Sequence, residues 1–127
     1  MVDKYIQAAT AVALSSDGVG KSRFRVGAVL VHRRHGIIAA RCNSYKTHPF
    51  LTRFTKYPHL HAEAAVILAA GFDAAMESII YVARVDRRGN LALAKPCDGI
   101  CQPLMLETGV KRAIFTTGDG IDELRFY

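Results

Sequence analysis

The sequence predicts an α/β fold, a central mixed sheet of about five strands with helices on both faces. Three observations carry that expectation. Apolar residues recur at helical spacing near the N-terminus. Short apolar runs elsewhere are bounded by Gly, Asn, Asp and Pro, as buried strands are. Helical and strand-like stretches then alternate along the chain, so the later strands, each joined through a helix, are expected to run parallel.

The first helix is expected from about Asp3 to Ser16, where Val2, Tyr5, Ile6, Ala9, Val12 and Ala13 fall on one face. Asp17-Gly18 ends it and Gly20 extends the break. Val26 to Val31 and Ile37 to Arg41 form a strand pair around the polar turn His32-Arg33-Arg34-His35-Gly36. Asn43 to His59 is polar, contains Pro49 and Pro58, and is expected to be a long functional loop. A helix from about Leu60 to Ala70 follows, stopped by Gly71. Ser78 to Val85 is the third strand, Arg87 to Asn90 a turn and Leu91 to Ala94 a short strand. A helix is expected from Cys97 to Thr108, closed by Gly109, and then a strand from Arg112 to Thr116. Gly118 to Tyr127 carries no clear period.

With 127 residues the chain has the length of one domain, and we expect a single domain over 1–127. Half of it is hydrophobic without low-complexity runs, which excludes a disordered protein. No stretch approaches the roughly 20 apolar residues of a bilayer span. The apolar run Tyr5 to Leu14 is interrupted by Gln7 and Thr10 and preceded by Asp3, unlike a secretory leader, so a cytoplasmic location is expected. The odd count of three cysteines argues against a disulfide framework.

The net charge of +6 is unevenly spread. Between Gly18 and Ala62 there is no Asp or Glu, against nine Lys or Arg. The other eight basic residues face all eleven acids. That distribution favours a partner or substrate carrying negative charge.

The chemistry concentrates at His61-Ala62-Glu63 and at Pro96-Cys97 with Cys101. One imidazole and two thiolates suit a borderline-soft zinc ion, and three protein ligands leave a fourth position for water, as in catalytic sites. Zinc lowers the pKa of such a water to roughly 7. His61, Cys97 and Cys101 are therefore the expected ligands of Zn2+. Glu63 is the expected catalytic carboxylate, moving protons between that water and an amine. Two residues along a helix turn through about 200°, so His61 and Glu63 share a pocket only at a helix start. His59 is a weaker alternative ligand, lacking a Glu at the next-but-one position. Cys42 is expected to be a buried small hydrophobe, and His32 and His35 to be exposed in their turn.

On these residues the chain resembles the cytidine deaminase-like superfamily, whose signature is His-x-Glu followed by Pro-Cys-x-x-Cys. Cys97-Asp98-Gly99-Ile100-Cys101 has three intervening residues where that signature has two. Either i,i+4 spacing on a helix or a bulge at Asp98-Gly99 would bring the two sulfurs together. Ser22 to Ala28, Asn43 and the stretch from Cys101-Gln102-Pro103-Leu104 to Glu107 add to the likeness. The histidine ligand resembles the deoxycytidylate, nucleic-acid and riboflavin-pathway branches.

The resemblance implies a three-layer α/β/α fold and hydrolytic deamination of the cytosine of a (deoxy)cytidine nucleoside or nucleotide. It implies substrate contacts from Asn43, Phe24 and Ala62, and a homo-oligomer. Lys46, His48 and Arg23, with Arg25 nearby, are placed to meet a phosphate through charge-assisted hydrogen bonds. A second possibility is single-stranded nucleic acid held by the basic segment with Tyr45, Phe50, Phe54 and Tyr57. A third is a zinc-stabilised binding protein without turnover, although a structural zinc would take four protein ligands and leave Glu63 without a role.

Overall fold

From Arg25 to His32 the first strand, β1, sends Ala28 and Leu30 into one buried cluster and Val29 and Val31 into another. This alternation of side chains across a pleat places a hydrophobic layer on each side of the sheet. The computed structural model describes residues 3–16, 25–44 and 61–126.

The remaining elements are α1 (Lys4–Leu14), β2 (Gly36–Cys42), α2 (Ala62–Ala70), α3 (Phe72–Ala75), β3 (Ile79–Val85), β4 (Leu91–Ala92), α4 (Cys101–Thr108), β5 (Arg112–Thr116) and β6 (Ile121–Arg125). The strands form one six-stranded mixed sheet in the order β2-β1-β3-β5-β6, with β4 paired to β3. β1 is antiparallel to both β2 and β3, and β3 is parallel to β5. Hence β2, β3 and β5, the strands entered or left through helices, all run the same way, as expected of crossover connections. The sixth strand, β6, is antiparallel to β5 and lies in the tail, a stretch without a clear hydrophobic period. Its residues Ile-Asp-Glu-Leu-Arg are all at least partly exposed, as on an edge strand.

One face of the sheet is covered by α1, where Ile6 and Ala9 pack against Val29, Val31, Tyr81 and Ala83. Asp3 caps this helix, its Oδ1 accepting from the Tyr5 amide at 2.7 Å. α1 lies close to β1. A Cβ on Gly27 would overlap the Ala9 carbonyl oxygen and the Ala13 backbone, so glycine is required there for steric reasons. On the other face Val66, Ile67, Leu104 and Met105 meet Leu30, Ile80, Val82 and Phe115. The result is the three-layer α/β/α arrangement.

The β1–β2 turn follows the expected residues. Gly36 has φ 71 and closes a three-residue loop, with a register shift between Leu30 and Val31 on β1. Gly71 ends α2 with φ 92, its amide bonding the Ile67 carbonyl at 2.9 Å. The short helix α3 directly after it has no periodic signal, being one turn long.

The largest departure from expectation concerns the last helix. It begins at Cys101 rather than Cys97. Pro103 supplies the reason: it has no N–H, so it fits in a first turn, where amides lack helical acceptors, and not a turn further in. No helix among the described residues is long and apolar enough to cross a membrane.

Candidate functional site

The parallel strands leave the N-termini of α2 and α4 at one end of the sheet, and the predicted ligands sit at those two helix starts. His61 is the residue before α2, with extended backbone (φ −69, ψ 146). It is therefore free of the helical rotation that would separate it from Glu63, which lies in the first turn. Cys101 opens α4. Cys97 precedes it in an irregular segment and belongs to neither a helix nor a strand.

The three side chains converge. His61 Nδ1 lies 3.4 Å from Cys101 Sγ and 3.7 Å from Cys97 Sγ. Zinc bound tetrahedrally, with Zn–S of about 2.3 Å and Zn–N of about 2.05 Å, would place nitrogen and sulfur about 3.5 Å apart. The two distances bracket that value. Among the described residues these are the only three His, Cys, Asp or Glu side chains whose donor atoms all fall within 4.8 Å of one another. His59, the alternative ligand, lies outside the described residues.

The extra residue between the cysteines is taken up by a wide turn. The Gln102 amide bonds the Cys97 carbonyl at 3.0 Å, five residues back, and Asp98 and Gly99 are exposed on the outside of that turn. The Cys101 amide points at Cys97 Sγ from 3.4 Å. Of the two geometries that the spacing allows, the bulge is the one adopted. Ahead of the turn, Thr116 Oγ1 donates to the Ala92 carbonyl at 2.7 Å and accepts from the Arg84 amide. The Ala94 amide reaches the Thr116 carbonyl at 2.9 Å. These bonds tie the segment leading to Pro96 and Cys97 against the end of β5.

Protons are shared unevenly in this cluster. Hydrogen bonding from Cys101, reinforced by His61 and by the backbone amides of Cys101 and Ile100, lowers the Cys97 thiol to about 3. Cys101 is pushed well above the ordinary thiol value by that same bond and by burial. His61 is raised, chiefly by its bond to Cys97. Glu63 is raised by burial, which disfavours its charged form. Its carboxyl feels the charges of His61 and Cys97 yet stands outside the three-donor group.

The sequence matches the family described as "Cytidine and deoxycytidylate deaminase zinc-binding region" over residues 2–117. The chain belongs to this deaminase family. Its cofactor is zinc, and the donors of His61, Cys97 and Cys101 fit that ion. No curated protein matches the sequence significantly. Among solved structures, it is similar to cytidine deaminase from Mycobacterium leprae, with a TM-score of 0.61 and 23% identity, covering 95% of this chain and 91% of that one. It is also similar to Acinetobacter baumannii RibD, in form 1 (TM-score 0.62, 22% identity) and form 2 (0.59, 21%). Both matches cover 90% of this chain but only 27% of the RibD chain, so it spans about a quarter of that protein's length.

Other expected site residues have different surroundings. Asn43 is buried, and its Oδ1 accepts from the Val26 amide at 3.0 Å and from Ser16 Oγ at 2.7 Å. Asn43 thus braces the end of β2 to the start of β1 and the end of α1, a structural duty that sequence reasoning missed. Ala62 is fully buried in the core cluster. Phe24, Arg23, Lys46 and His48, with Tyr45, Phe50, Phe54 and Tyr57, lie outside the described residues. Arg25 donates to the Asp86 carbonyl at 3.0 Å. Cys42 is only partly buried, and it is no member of the metal-binding group. His35 is exposed and His32 partly so, their rings stacked at 4.9 Å.

Proposed function

We propose that this deaminase replaces the 4-amino group of the cytosine in a (deoxy)cytidine nucleoside or nucleotide with oxygen from water. The products are the uracil form and ammonia. The observation that carries the reading is the placement of Glu63. A buried carboxyl in the first turn of α2 stands beside the three-donor cluster without belonging to it.

When bound, the zinc ion supplies a water that is ionised near neutral pH. His61, Cys97 and Cys101 hold that ion and provide only three donors. Glu63 takes the two protons of the attacking water in turn. The first goes to the ring nitrogen, and the second, from the hydroxyl formed on the carbon, goes to the departing amine, so a carbon–oxygen double bond forms as the carbon–nitrogen bond breaks with ammonia as leaving group. Burial suits Glu63 to this work, because a raised pKa brings its proton affinity closer to those of the groups it serves. The basic segment between Gly18 and Ala62 favours the phosphorylated substrates, with Arg23, Lys46 and His48 as phosphate contacts and Phe24 beside the base.

The test is ammonia release by zinc-loaded protein across cytosine, cytidine, deoxycytidine, their monophosphates, the adenine counterparts and cytosine-containing oligonucleotides. Turnover of a cytidine nucleoside or monophosphate supports the reading. Turnover confined to oligonucleotides or adenine compounds overturns it.

A further inference from the structure

Cys101 is held by the helix that it opens, but Cys97 has no such support. With three residues between the cysteines, the turn is wider than a tight helical cap. Across it the Cys101 amide is directed at Cys97 Sγ, and one side chain bridges its flanks. Gln102 Nε2 donates to the Pro96 carbonyl at 2.8 Å and to Asp98 Oδ1 at 2.8 Å. The Gln102 backbone amide adds the bond to the Cys97 carbonyl at 3.0 Å.

We propose that Gln102 is a positioning residue that fixes Cys97 in its metal-binding conformation by bridging the residues on either side of it. The proposal rests on the reading of His61, Cys97 and Cys101 as the zinc ligands. Gln102 is only partly buried and Asp98 is exposed, so nothing about burial forces these bonds to form. A partly exposed glutamine at the start of a helix would ordinarily extend into solvent. Here its carboxamide folds back over the turn and uses both of its N–H donors, one on the residue before Cys97 and one on the residue after it. Groups that orient a metal ligand in this indirect way typically change metal affinity about 10–100-fold when removed.

Gln102→Glu keeps the side-chain length but has no N–H to donate and sets a carboxylate against Asp98. Gln102→Met keeps the length without polarity. Zinc affinity is measured by competition with a chromophoric chelator. Cobalt substitution is followed by its thiolate-to-metal absorption, which reports how well both sulfurs bind. Both variants are expected to bind zinc about 10–100-fold more weakly and to show reduced thiolate absorption, while the circular dichroism and Tm of the metal-free proteins match wild type. Asp98→Ala, which spares the bond to Pro96, is expected to fall between. Wild-type affinity and spectrum in both variants would overturn the proposal, as would loss of the metal-free fold in both, which would make Gln102 a general structural residue. A wild-type protein that takes up no metal would overturn the ligand reading as well, so the two failures are distinguishable.

Discussion

Cys101 Sγ and His61 Nδ1, forty residues apart in the chain, stand 3.4 Å from one another in the structure. The sheet produces this meeting: β2 and β3 run the same way as β5, so the helices leading into β3 and β5 start at the same end. Zinc binding therefore couples two helix starts, and its removal should loosen both. Zinc at 100 times its Kd would stabilise the fold by about 2.7 kcal/mol and raise Tm accordingly. His61→Ala and Cys97→Ser should lose that rise. Thermal melts with and without zinc check this.

Glu63→Gln separates metal binding from turnover. The substitution keeps size and burial and removes the carboxylate. Zinc content should match wild type, while kcat should fall by at least about 10²-fold, the scale of general acid–base assistance. Metal analysis and ammonia-release kinetics on the same preparation read both.

Zinc uptake should release protons. Cys97 is already ionised, being lowered to about 3, so it contributes none near neutrality. Cys101 and His61, both raised, hold protons that the metal must displace. Affinity should therefore weaken as pH falls from about 8 to about 6. Calorimetry in buffers of different ionisation enthalpy should show a net proton release. A pH-independent affinity would contradict this assignment.

Much of this was legible in the sequence, for identifiable reasons. The grouping of His61, Cys97 and Cys101 was readable because metal chemistry restricts residue type and spacing. β5 was readable because Arg112 to Thr116 is a bounded, half-apolar run. β6 was not, because an edge strand with Asp122 and Glu123 lacks a buried alternation. The start of α4 was misplaced because the apolar pattern reaches back past Pro103, although that proline marks the first turn. Asn43 shows a different limit: a residue type that suits a ligand equally suits the joint between α1 and β1.

Asn43→Ala should destabilise the protein by about 1–3 kcal/mol, the cost of depriving partly buried donors of their acceptor. Asn43→Asp, which keeps the oxygen, should recover part of the loss. Urea denaturation of the zinc-saturated variants provides the measurement.

Gly27→Ala should cost stability without touching the site. The new methyl meets the α1 backbone at Ala9 and Ala13, which cannot swing aside as a side chain could. A loss of about 1–3 kcal/mol, or failure to fold, is expected from such overpacking. Folded variant should still bind zinc.

X-ray absorption at the zinc edge of the loaded protein tests the centre most directly. The expected result is one zinc per chain with two sulfurs at about 2.3 Å, one imidazole nitrogen at about 2.0–2.1 Å and one further light atom. A shell without sulfur, or no bound zinc at all, would contradict the convergence of His61, Cys97 and Cys101 on a single ion.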